Sequence, residues 1–287
     1  MPVSKDIGIA RTVADLRHMI AAWRSSGETV GLVPTMGAIH AGHLALVNAA
    51  QSQCHRCVAS LFVNPKQFGP KEDFAAYPRS EGRDVAAFAE RGVDLVFIPA
   101  VDAMYPSGFA TTVSVGAVTD DLEGAFRPGH FEGVATVVTK LLLQALPDAA
   151  YFGEKDFQQL TVVRHFVRDL DIPVRIEGVA TLREPDGLAL SSRNVYLSPE
   201  ERRIAPRLHQ VMSACATELR AAPHALVAVL ENGRTQLGEA GFRVDYLELR
   251  AADDFAPLEQ LSRPSRLLAA AYLGRTRLID NIPVVPG

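Results

Sequence analysis

The sequence is short of cysteine, of long apolar runs and of excess charge, and each shortage excludes a class of protein. Its three cysteines, Cys54, Cys57 and Cys215, cannot build the disulfide framework of a small secreted domain. No apolar run approaches the ~18 residues that a membrane-spanning helix requires. The first six residues lack the basic and apolar regions of a secretory signal. We therefore expect a cytoplasmic protein with no membrane partner.

The charge balance excludes a general affinity for nucleic acid. Lysine and arginine number 29 against 33 aspartates and glutamates, so the net charge is −4. Nucleic-acid-binding proteins normally carry a basic excess or stripe, so we expect no nucleic-acid partner and only local binding of phosphate. With 287 residues, 48% of them hydrophobic, the chain is long enough for two domains with separate cores.

Apolar β-type runs alternate with helical periodicity through the first half of the chain. The predicted strands cover residues 30–34, 57–63, 94–99, 150–153 and 174–179. The predicted helices cover 12–25, 44–53, 81–91, 134–146 and 160–169. This alternation predicts an α/β fold with a Rossmann-like, doubly wound parallel sheet. Such a sheet binds its ligands at the carboxyl ends of the strands.

A polar, turn-rich segment over 182–194, with Pro185-Asp186-Gly187, marks the predicted domain boundary. We expect the Rossmann-like domain over residues 1–181 and a smaller α+β domain over 182–287. The second domain opens with Ser198-Pro199-Glu200-Glu201, a capping box with proline at the first helical position. Helices continue to about residue 240, and strands over 244–249, 267–272 and 277–282 close the chain.

The most informative stretch runs from Gly31 to His43. An apolar strand leads into a Gly-rich turn, and two histidines then open a helix. His40 and His43 are three residues apart, so both imidazoles can share one helix face near its N-terminus. The unpaired N–H groups and the positive dipole end there favour an anion. The stretch therefore predicts a site for a nucleotide phosphate.

Polar residues also follow two other strands of the predicted sheet. Pro65 ends one strand, so Asn64 and Gln67 fall on the loop where substrates bind, although Asn-Pro is equally ordinary turn chemistry. Lys155 follows another strand, in a chain with only five lysines against 24 arginines, and can bind a phosphate as a point charge. A solvated Glu-Lys-Asp surface turn is the alternative.

Three further segments carry less specific signals. Ser191, Ser192 and Arg193 can close over a polyphosphate, or they form a plain linker. Residues 122–134 are predicted as a long loop leading into a helix, and loops of that length are often functional. Cys54-His55-Arg56-Cys57 has the spacing of a metal or redox motif but no second ligand pair nearby. A helix end leading into the next strand is the favoured interpretation.

Five blocks of sequence follow one another along nearly the whole chain. They are PTMG with HxGH from Pro34, FVNPxQF from Phe62, LEGxxRPxHFxGV from Leu122, FGEKDxQQL from Phe152 and DGLALSSRNxYL from Asp186. HxGH alone marks only the nucleotidylyltransferase superfamily, but the series resembles its pantothenate synthetase (pantoate–β-alanine ligase) family. The resemblance implies a Rossmann-like domain that binds ATP and pantoate, a C-terminal lid domain and a homodimer.

The reaction implied by the resemblance has two steps. Pantoate attacks the α-phosphate of ATP to give pantoyl adenylate and pyrophosphate, and β-alanine then attacks the adenylate to give pantothenate and AMP. Such transfer needs positioned positive charge, which His40, His43, Lys155 and Arg193 supply, with Mg²⁺ expected to assist. By the family pattern His43 donates a proton and His40 supports the phosphates. That division rests on the resemblance alone.

The resemblance also implies the binding residues. Gln67 and Gln159 hold pantoate, with Asn64 as a further substrate-binding residue and Gln67 also facing β-alanine. Asp84 matches an acidic position associated with the metal. Glu123 and Arg127, on the long loop, are expected to brace the site. The ATP-binding residues are Pro34, Thr35, Met36, Gly37, Ala38, Ile39, His40, Ala41, Gly42, His43, Gly153, Glu154, Lys155, Asp156, Leu182, Leu190, Ser191, Ser192 and Arg193.

The chain departs from the family pattern at one position, and two other functions are possible. Lys66 stands where the family commonly has methionine, so either one wall of the pantoate pocket is more polar or the side chain points to solvent. A simple adenylyltransferase of the same superfamily would need extra cationic groups for a phosphorylated acceptor, whereas this chain offers the amides of Gln67 and Gln159. A non-catalytic nucleotide sensor would not need His43, Lys155 and Arg193 together.

Overall fold

The computed structural model describes residues 7–70, 74, 75 and 77–287. The first six residues, in which we found no signal features, lie outside the described residues. The chain forms two compact units, the first made of Met1–Gly153 and Gln159–Val179 and the second of Glu154–Gln158 and Ala180–Gly287. The second unit thus begins close to the predicted boundary after residue 181, but it also includes residues 154–158.

A parallel sheet forms the centre of the first unit. Its strands are β1 (Gly8–Ala10), β2 (Val30–Thr35), β3 (Arg56–Leu61), β4 (Leu95–Phe97), β5 (Ala149–Gly153) and β6 (Arg175–Val179). They pair in the order β1-β4-β3-β2-β5-β6, and every pairing is parallel. The direction of winding reverses between β2 and β5, which is where an open sheet binds its ligand. The predicted Rossmann-like fold is confirmed.

Helices cover the connections between these strands. They are α1 (Val13–Ser25), α2 (Ala41–Gln53), α3 (Glu81–Glu90), α4 (Val101–Met104), α5 (Glu123–Phe126), α6 (His130–Ala145) and α7 (Phe157–Asp169). The five predicted strands and five predicted helices of this half are all present, with ends that differ by a few residues. Strand β1 was not predicted, because three residues are too short to show an alternating pattern.

The predicted loop over residues 122–134 is wrong in part. Residues Glu123–Phe126 form α5, and α6 begins at His130 rather than at residue 134. Gly129, with a φ of +79°, makes the left-handed turn that starts α6. Phe131 is buried, so the first turn of this helix packs into the unit instead of belonging to a loop.

The cysteine pair of the first unit belongs to its core. Helix α2 ends at Gln53 with Cys54 as its C-cap, and β3 begins at Arg56, as the helix-end interpretation predicts. Cys57 is fully buried, and burial raises the pKa of its thiol to about 12. The Sγ atom of Cys54 lies 3.6 Å from the hydroxyl of the buried Tyr151. These contacts are those of packed core residues.

The second unit combines helices with a small antiparallel sheet. The capping box at Ser198 and Glu201 is present, with both reciprocal hydrogen bonds. A core of leucine, valine and alanine side chains lies between the helices and one face of the sheet. No helix in the described part of the chain has both the length and the apolarity to cross a membrane. The elements are α8 (Pro199–Ile204), α9 (Arg207–Ala221), α10 (Leu226–Glu239), β7 (Phe242–Ala251), β8 (Ser265–Leu273) and β9 (Thr276–Val284), with sheet order β7-β8-β9.

Candidate active site

The turn between β2 and α2 requires a glycine. Gly37 has a φ of +90°, and a Cβ at this position would lie 2.8 Å from Oδ2 of Asp84. The start of the turn is held by Thr35, whose hydroxyl donates to the carbonyl of Ser60 at 2.6 Å. The same hydroxyl oxygen accepts from the backbone N–H of Gly37 at 3.3 Å. The sequence Pro-Thr-Met-Gly thus specifies one backbone path out of the strand.

The carboxylate of Asp84 binds the next two backbone amides. Its Oδ2 accepts from the N–H of Ala38 at 3.0 Å, and its Oδ1 accepts from the N–H of Ile39 at 2.9 Å. Ala38 has a φ of +52°, a conformation that costs a non-glycine residue roughly 1–2 kcal/mol. Two charge-assisted hydrogen bonds offset that strain. Asp84, buried on α3, therefore positions the turn that leads to the histidines.

His40 and His43 cap the start of α2 reciprocally. His40 is the N-cap residue, with an extended backbone, and not a residue of the helix as the spacing suggested. The N–H of Gly42 donates to Nδ1 of His40 at 3.1 Å, and the N–H of His40 donates to Nδ1 of His43 at 3.4 Å. The two ring centroids lie 4.1 Å apart, with the planes tilted by 33°.

These hydrogen bonds decide which nitrogen of each imidazole carries the proton. A ring nitrogen that accepts from a backbone N–H is unprotonated, so each neutral ring carries its proton on Nε2. The sequence led us to expect unpaired backbone N–H groups at the start of this helix. That expectation needs correction, because the Gly42 N–H donates to the His40 side chain and the His43 N–H donates to the His40 carbonyl. Nε2–H is therefore the donor group of each neutral imidazole.

A chain of hydrogen bonds orients the side chain of Gln67. Asn64 and Gln67 are both buried at the turn that follows β3. Tyr105 Oη donates to Asn64 Oδ1 at 2.7 Å, and Asn64 Nδ2 donates to Gln67 Oε1 at 3.1 Å. Burial raises the pKa of the Tyr105 phenol, so it remains a donor at neutral pH. The Nε2 group of Gln67 consequently points to Met36, with Sδ at 3.0 Å.

The backbone of the same turn is held by His130. Its Nδ1 lies 2.9 Å from the carbonyl oxygen of Gln67, and its Nε2 lies 3.0 Å from Nη1 of Arg127. A guanidinium can only donate, so Nε2 accepts and Nδ1 donates to Gln67. Glu123 Oε2 lies 4.0 Å from the same Nη1. Nη2 of Arg127 also donates to the Gln67 carbonyl at 3.5 Å. Arg127 therefore reaches the turn both directly and through His130, a histidine that the sequence analysis did not single out.

Helix α6 packs directly against this turn. A Cβ at Gly133 would lie 2.3 Å from the carbonyl oxygen of Lys66, and the Gly133 carbonyl accepts from Asn64 Nδ2 at 3.0 Å. The Lys66 side chain is exposed, with Nζ 5.3 Å and 5.4 Å from the ring centroids of Tyr105 and Phe109. The lysine that replaces the family methionine therefore lies over two aromatic rings at the surface.

Lys155 lies in a short 3-10 turn, Glu154–Asp156, of the second unit. Its side chain is 18% exposed, and Nζ lies 3.9 Å from Oδ2 of Asp156. The carbonyls of Glu154 and Lys155 both accept hydrogen bonds from Asn281 of β9, at 2.7 Å and 2.8 Å. A turn held by its backbone in this way is not the free surface turn that was the alternative.

The backbone near Leu182 forms a small hairpin in the same unit. Arg183 and Ala189 make an antiparallel bridge, and the N–H of Leu190 donates to the carbonyl of Leu182 at 3.0 Å. Two nitrogens of Arg183 donate to the buried carboxylate of Asp280, at 2.6 Å and 2.8 Å. This bidentate ion pair attaches the hairpin to β9.

Ser191 caps the next turn, Ser192–Tyr196. Its hydroxyl oxygen accepts from the N–H of Arg193 at 3.3 Å, and Asn194 Nδ2 donates to the carbonyl of Ala189 at 3.0 Å. The segment with the two serines and Arg193 is therefore an ordered turn within its unit and not a plain linker.

The site residues predicted from the sequence are connected to one another by contacts within each unit. The first unit joins Met36, His40, His43, Asn64, Gln67 and Asp84 through the contacts above, and Gln159 lies half-buried on α7. The sequence analysis did not select Tyr105, His130 or Asn281, although each holds a segment that carries predicted site residues. Tyr105 and Asn281 lie outside the recognised blocks, and His130 lies inside one that gave no reason to choose it.

Comparison with known proteins identifies the family of this chain. A sequence model of the family described as pantoate-beta-alanine ligase matches residues 8–283. The pantothenate synthetase of Paramagnetospirillum magneticum is 60% identical, covering 99% of this chain and 100% of the relative. That of Chelativorans sp. is 56% identical, covering 97% and 98%.

Solved structures show the same likeness. The crystal structure of pantothenate synthetase from Thermus thermophilus is similar to this chain with a TM-score of 0.91 and 49% identity, covering 98% of this chain and 100% of the other. A pantoate-beta-alanine ligase from Francisella tularensis, complexed with β-γ ATP and β-alanine, has a TM-score of 0.80 and 32% identity, covering 96% and 97%. With a family match over nearly the whole sequence, this chain belongs to the pantoate–β-alanine ligase family.

Proposed function

We propose that this protein joins pantoate to β-alanine at the expense of ATP, through a pantoyl adenylate. The observation that carries the proposal is the His40–His43 pair at the start of α2, where each Nδ1 atom accepts a backbone N–H group and the proton of each neutral ring is therefore on Nε2. Membership of the family supports the same reaction, and the Francisella tularensis relative binds both an ATP and β-alanine.

In the first step a carboxylate oxygen of pantoate attacks the α-phosphorus of ATP. The bond between that phosphorus and the pyrophosphate oxygen breaks, and charge develops on the phosphate oxygens. Positioned donors and cations lower this barrier more than a covalent nucleophile would. We assign His43 as the proton donor and His40 as a donor to the transferred phosphate. Lys155 and Arg193 are assigned as cations that bind the ATP phosphates.

Amide side chains suit pantoate as the acceptor. Gln67 can donate to a carboxylate through Nε2, because Asn64 already occupies its Oε1 atom. Gln159 offers a second amide, and Asn64 is proposed to serve pantoate binding by orienting Gln67, because its own amide hydrogens are donated to Gln67 and Gly133. Amides bind hydroxyls and a single carboxylate, whereas a phosphorylated acceptor calls for extra cations. This chemistry favours the ligase over a simple adenylyltransferase.

We propose that Mg²⁺ binds together with ATP. This ion usually keeps several waters and binds one or two carboxylates plus substrate phosphates. Asp84 fits one such contact, because each carboxylate oxygen accepts one N–H group and retains a lone pair. Within the described ranges, no group of three His, Cys, Asp or Glu side chains could bind a metal alone. Bound there, the ion would neutralise charge on the phosphates.

In the second step the amine of β-alanine attacks the acyl carbon, and the bond from that carbon to the AMP oxygen breaks. Gln67 is proposed to face β-alanine as well. Because water competes with the amine for the adenylate, excluding water is part of the function. We propose that residues 182–287 act as the lid that does so, and that the enzyme is a cytoplasmic homodimer.

One assay tests this reaction against its rivals. We expect pyrophosphate release from ATP only when pantoate is present, and AMP release only after β-alanine is added. Absence of pantoate-dependent pyrophosphate would reject the proposal. Pyrophosphate without amine-dependent AMP would favour the simple adenylyltransferase, and ATP binding with neither product would favour a nucleotide sensor.

Replacing His43 tests the assigned proton donor. We expect His43→Ala to slow pantoate-dependent pyrophosphate release by about 10²–10⁴-fold, as for other losses of an acid or charge-stabilising group. His18→Ala, which removes an exposed histidine on α1, is the matched control and should keep the wild-type rate. The two variants should unfold at similar temperatures. A wild-type rate in His43→Ala would contradict the assignment.

Replacing Asp84 tests its role in the turn. In Asp84→Asn one oxygen becomes an amide group that faces a backbone N–H, so we expect a loss of about 1–3 kcal/mol in the free energy of unfolding. ATP binding should weaken, since the turn leads to His40. Urea unfolding and ATP titration check both effects. Glu90→Gln removes the same charge from the exposed side of α3 and should change neither. Unchanged ATP affinity in Asp84→Asn would refute the positioning role.

A further inference from the structure

Asn281 of β9 donates both of its side-chain amide hydrogens to the turn that carries Lys155. It is only 2% exposed, and its Nδ2 group donates to the carbonyls of Glu154 and Lys155, at 2.7 Å and 2.8 Å. Its Oδ1 atom accepts from Nη1 of Arg266 at 3.2 Å. A buried amide with these partners is well satisfied, so its orientation is fixed.

The two carbonyls lie on either side of the Lys155 Cα atom. The Glu154 carbonyl belongs to the peptide plane that precedes Lys155, and the Lys155 carbonyl belongs to the plane that follows it. Because peptide units are planar, holding both planes sets φ and ψ of the residue between them. Asn281 therefore fixes the direction in which the flexible four-carbon stem of Lys155 leaves the backbone.

Arg266 of β8 holds the same turn through a side chain. Its Nη2 donates to Oε2 of Glu154 at 2.7 Å, and its guanidinium lies 4.3 Å from the ring centroid of Phe157. The Arg266 side chain is only 13% exposed, and a charge-assisted bond at such a site is stronger than a surface pair. The turn is thus held at its main chain and at Glu154.

Asn281 is itself positioned by its neighbours. Its backbone N–H donates to Oδ1 of Asp280 at 2.7 Å, and its carbonyl accepts from Nη2 of Arg183 at 3.3 Å. In the sheet it pairs with Leu268 of β8. The amide is therefore already in place before any ligand arrives.

We propose that Asn281 is a positioning residue for the adenylation step, acting through Lys155. The proposal rests on the function proposed above, in which Lys155 binds the ATP phosphates. Asn281 sets the backbone of Lys155 so that the ammonium group reaches those phosphates at little entropic cost. A purely structural role would instead lower stability without acting through Lys155.

A double-mutant cycle on the full chain separates the two roles. The probe is ATP with Mg²⁺ and without pantoate, and the dissociation constant is measured by titration calorimetry. We expect Lys155→Ala to weaken binding by about 10- to 100-fold, as for a charge-assisted hydrogen bond. Asn281→Ala should weaken it by about 10-fold. The double variant should bind within about 2-fold of Lys155→Ala, because the Asn281 effect requires the lysine.

Ile282→Val is the matched control. Ile282 follows Asn281 on β9 and packs in the core of the second unit, so the substitution removes one buried methyl group from the same strand. It should leave ATP affinity unchanged in both backgrounds. If Asn281→Ala fails to fold, Arg266→Met provides the second variant. It keeps an apolar stem against Phe157, loses the bond to Glu154 and should show the same dependence on Lys155.

The outcomes distinguish this inference from the proposed function. Equal effects of Asn281→Ala with and without Lys155 would overturn the positioning role, as would a wild-type dissociation constant for Asn281→Ala. If Lys155→Ala itself binds ATP normally, the inference fails. Pantoate-dependent pyrophosphate release by the wild type would then still support the ligase.

Discussion

Two hydrogen bonds from the backbone of Ala38 and Ile39 to the carboxylate of Asp84 hold the turn on which the candidate site of the first unit depends. They stabilise a left-handed Ala38 immediately after Gly37, which itself has no room for a Cβ. The turn delivers His40 as the N-cap of α2, and this placement lets each imidazole accept a backbone N–H at Nδ1. The proton position on both rings follows from the backbone path.

In the second unit, too, buried polar side chains hold the segments that carry predicted site residues. Here strand β9 supplies the buried polar side chains, which bind the backbone of the Lys155 turn and the side chain of Arg183. Asn281 binds the turn of Lys155, and Asp280 binds Arg183 at the base of the hairpin that precedes Arg193. In both units a buried polar side chain thus fixes the segment that carries a proposed site residue, through the main chain at Ala38, Ile39 and Lys155 and through the guanidinium of Arg183. Lysine and arginine have many rotamers, so this support is worth most for them.

Much of the fold could be predicted because it depends on local patterns. The strands around the turn between β2 and α2 are apolar and short, and the capping box at Ser198 consists of four consecutive residues. The parts that could not be predicted depend on contacts between distant residues. His40 has helical spacing from His43, yet it lies outside the helix because its side chain binds the amide of Gly42. Helix α6 starts at His130 because burial of the following phenylalanine outweighs the turn signals before it.

The candidate site shows the same division. The recognised blocks named the candidate segments, including those of Gln67 and Lys155, because these segments carry their own chemical signals. The residues that orient them lie far away in the chain, such as Tyr105 for Gln67 and Asn281 for Lys155. A tyrosine before a proline, or an asparagine in a strand, has no local pattern that reveals such a partner. Only the fold brings each pair together.

In the proposed reaction a carboxylate oxygen of pantoate attacks the α-phosphorus of ATP, and AMP later leaves with that oxygen. The direct measurement is mass spectrometry of the products formed from pantoate labelled with ¹⁸O in its carboxylate, with ATP and β-alanine. We expect AMP that contains one ¹⁸O atom and pyrophosphate that contains none. AMP without the label would contradict an acyl adenylate and, with it, the role assigned to the two histidines.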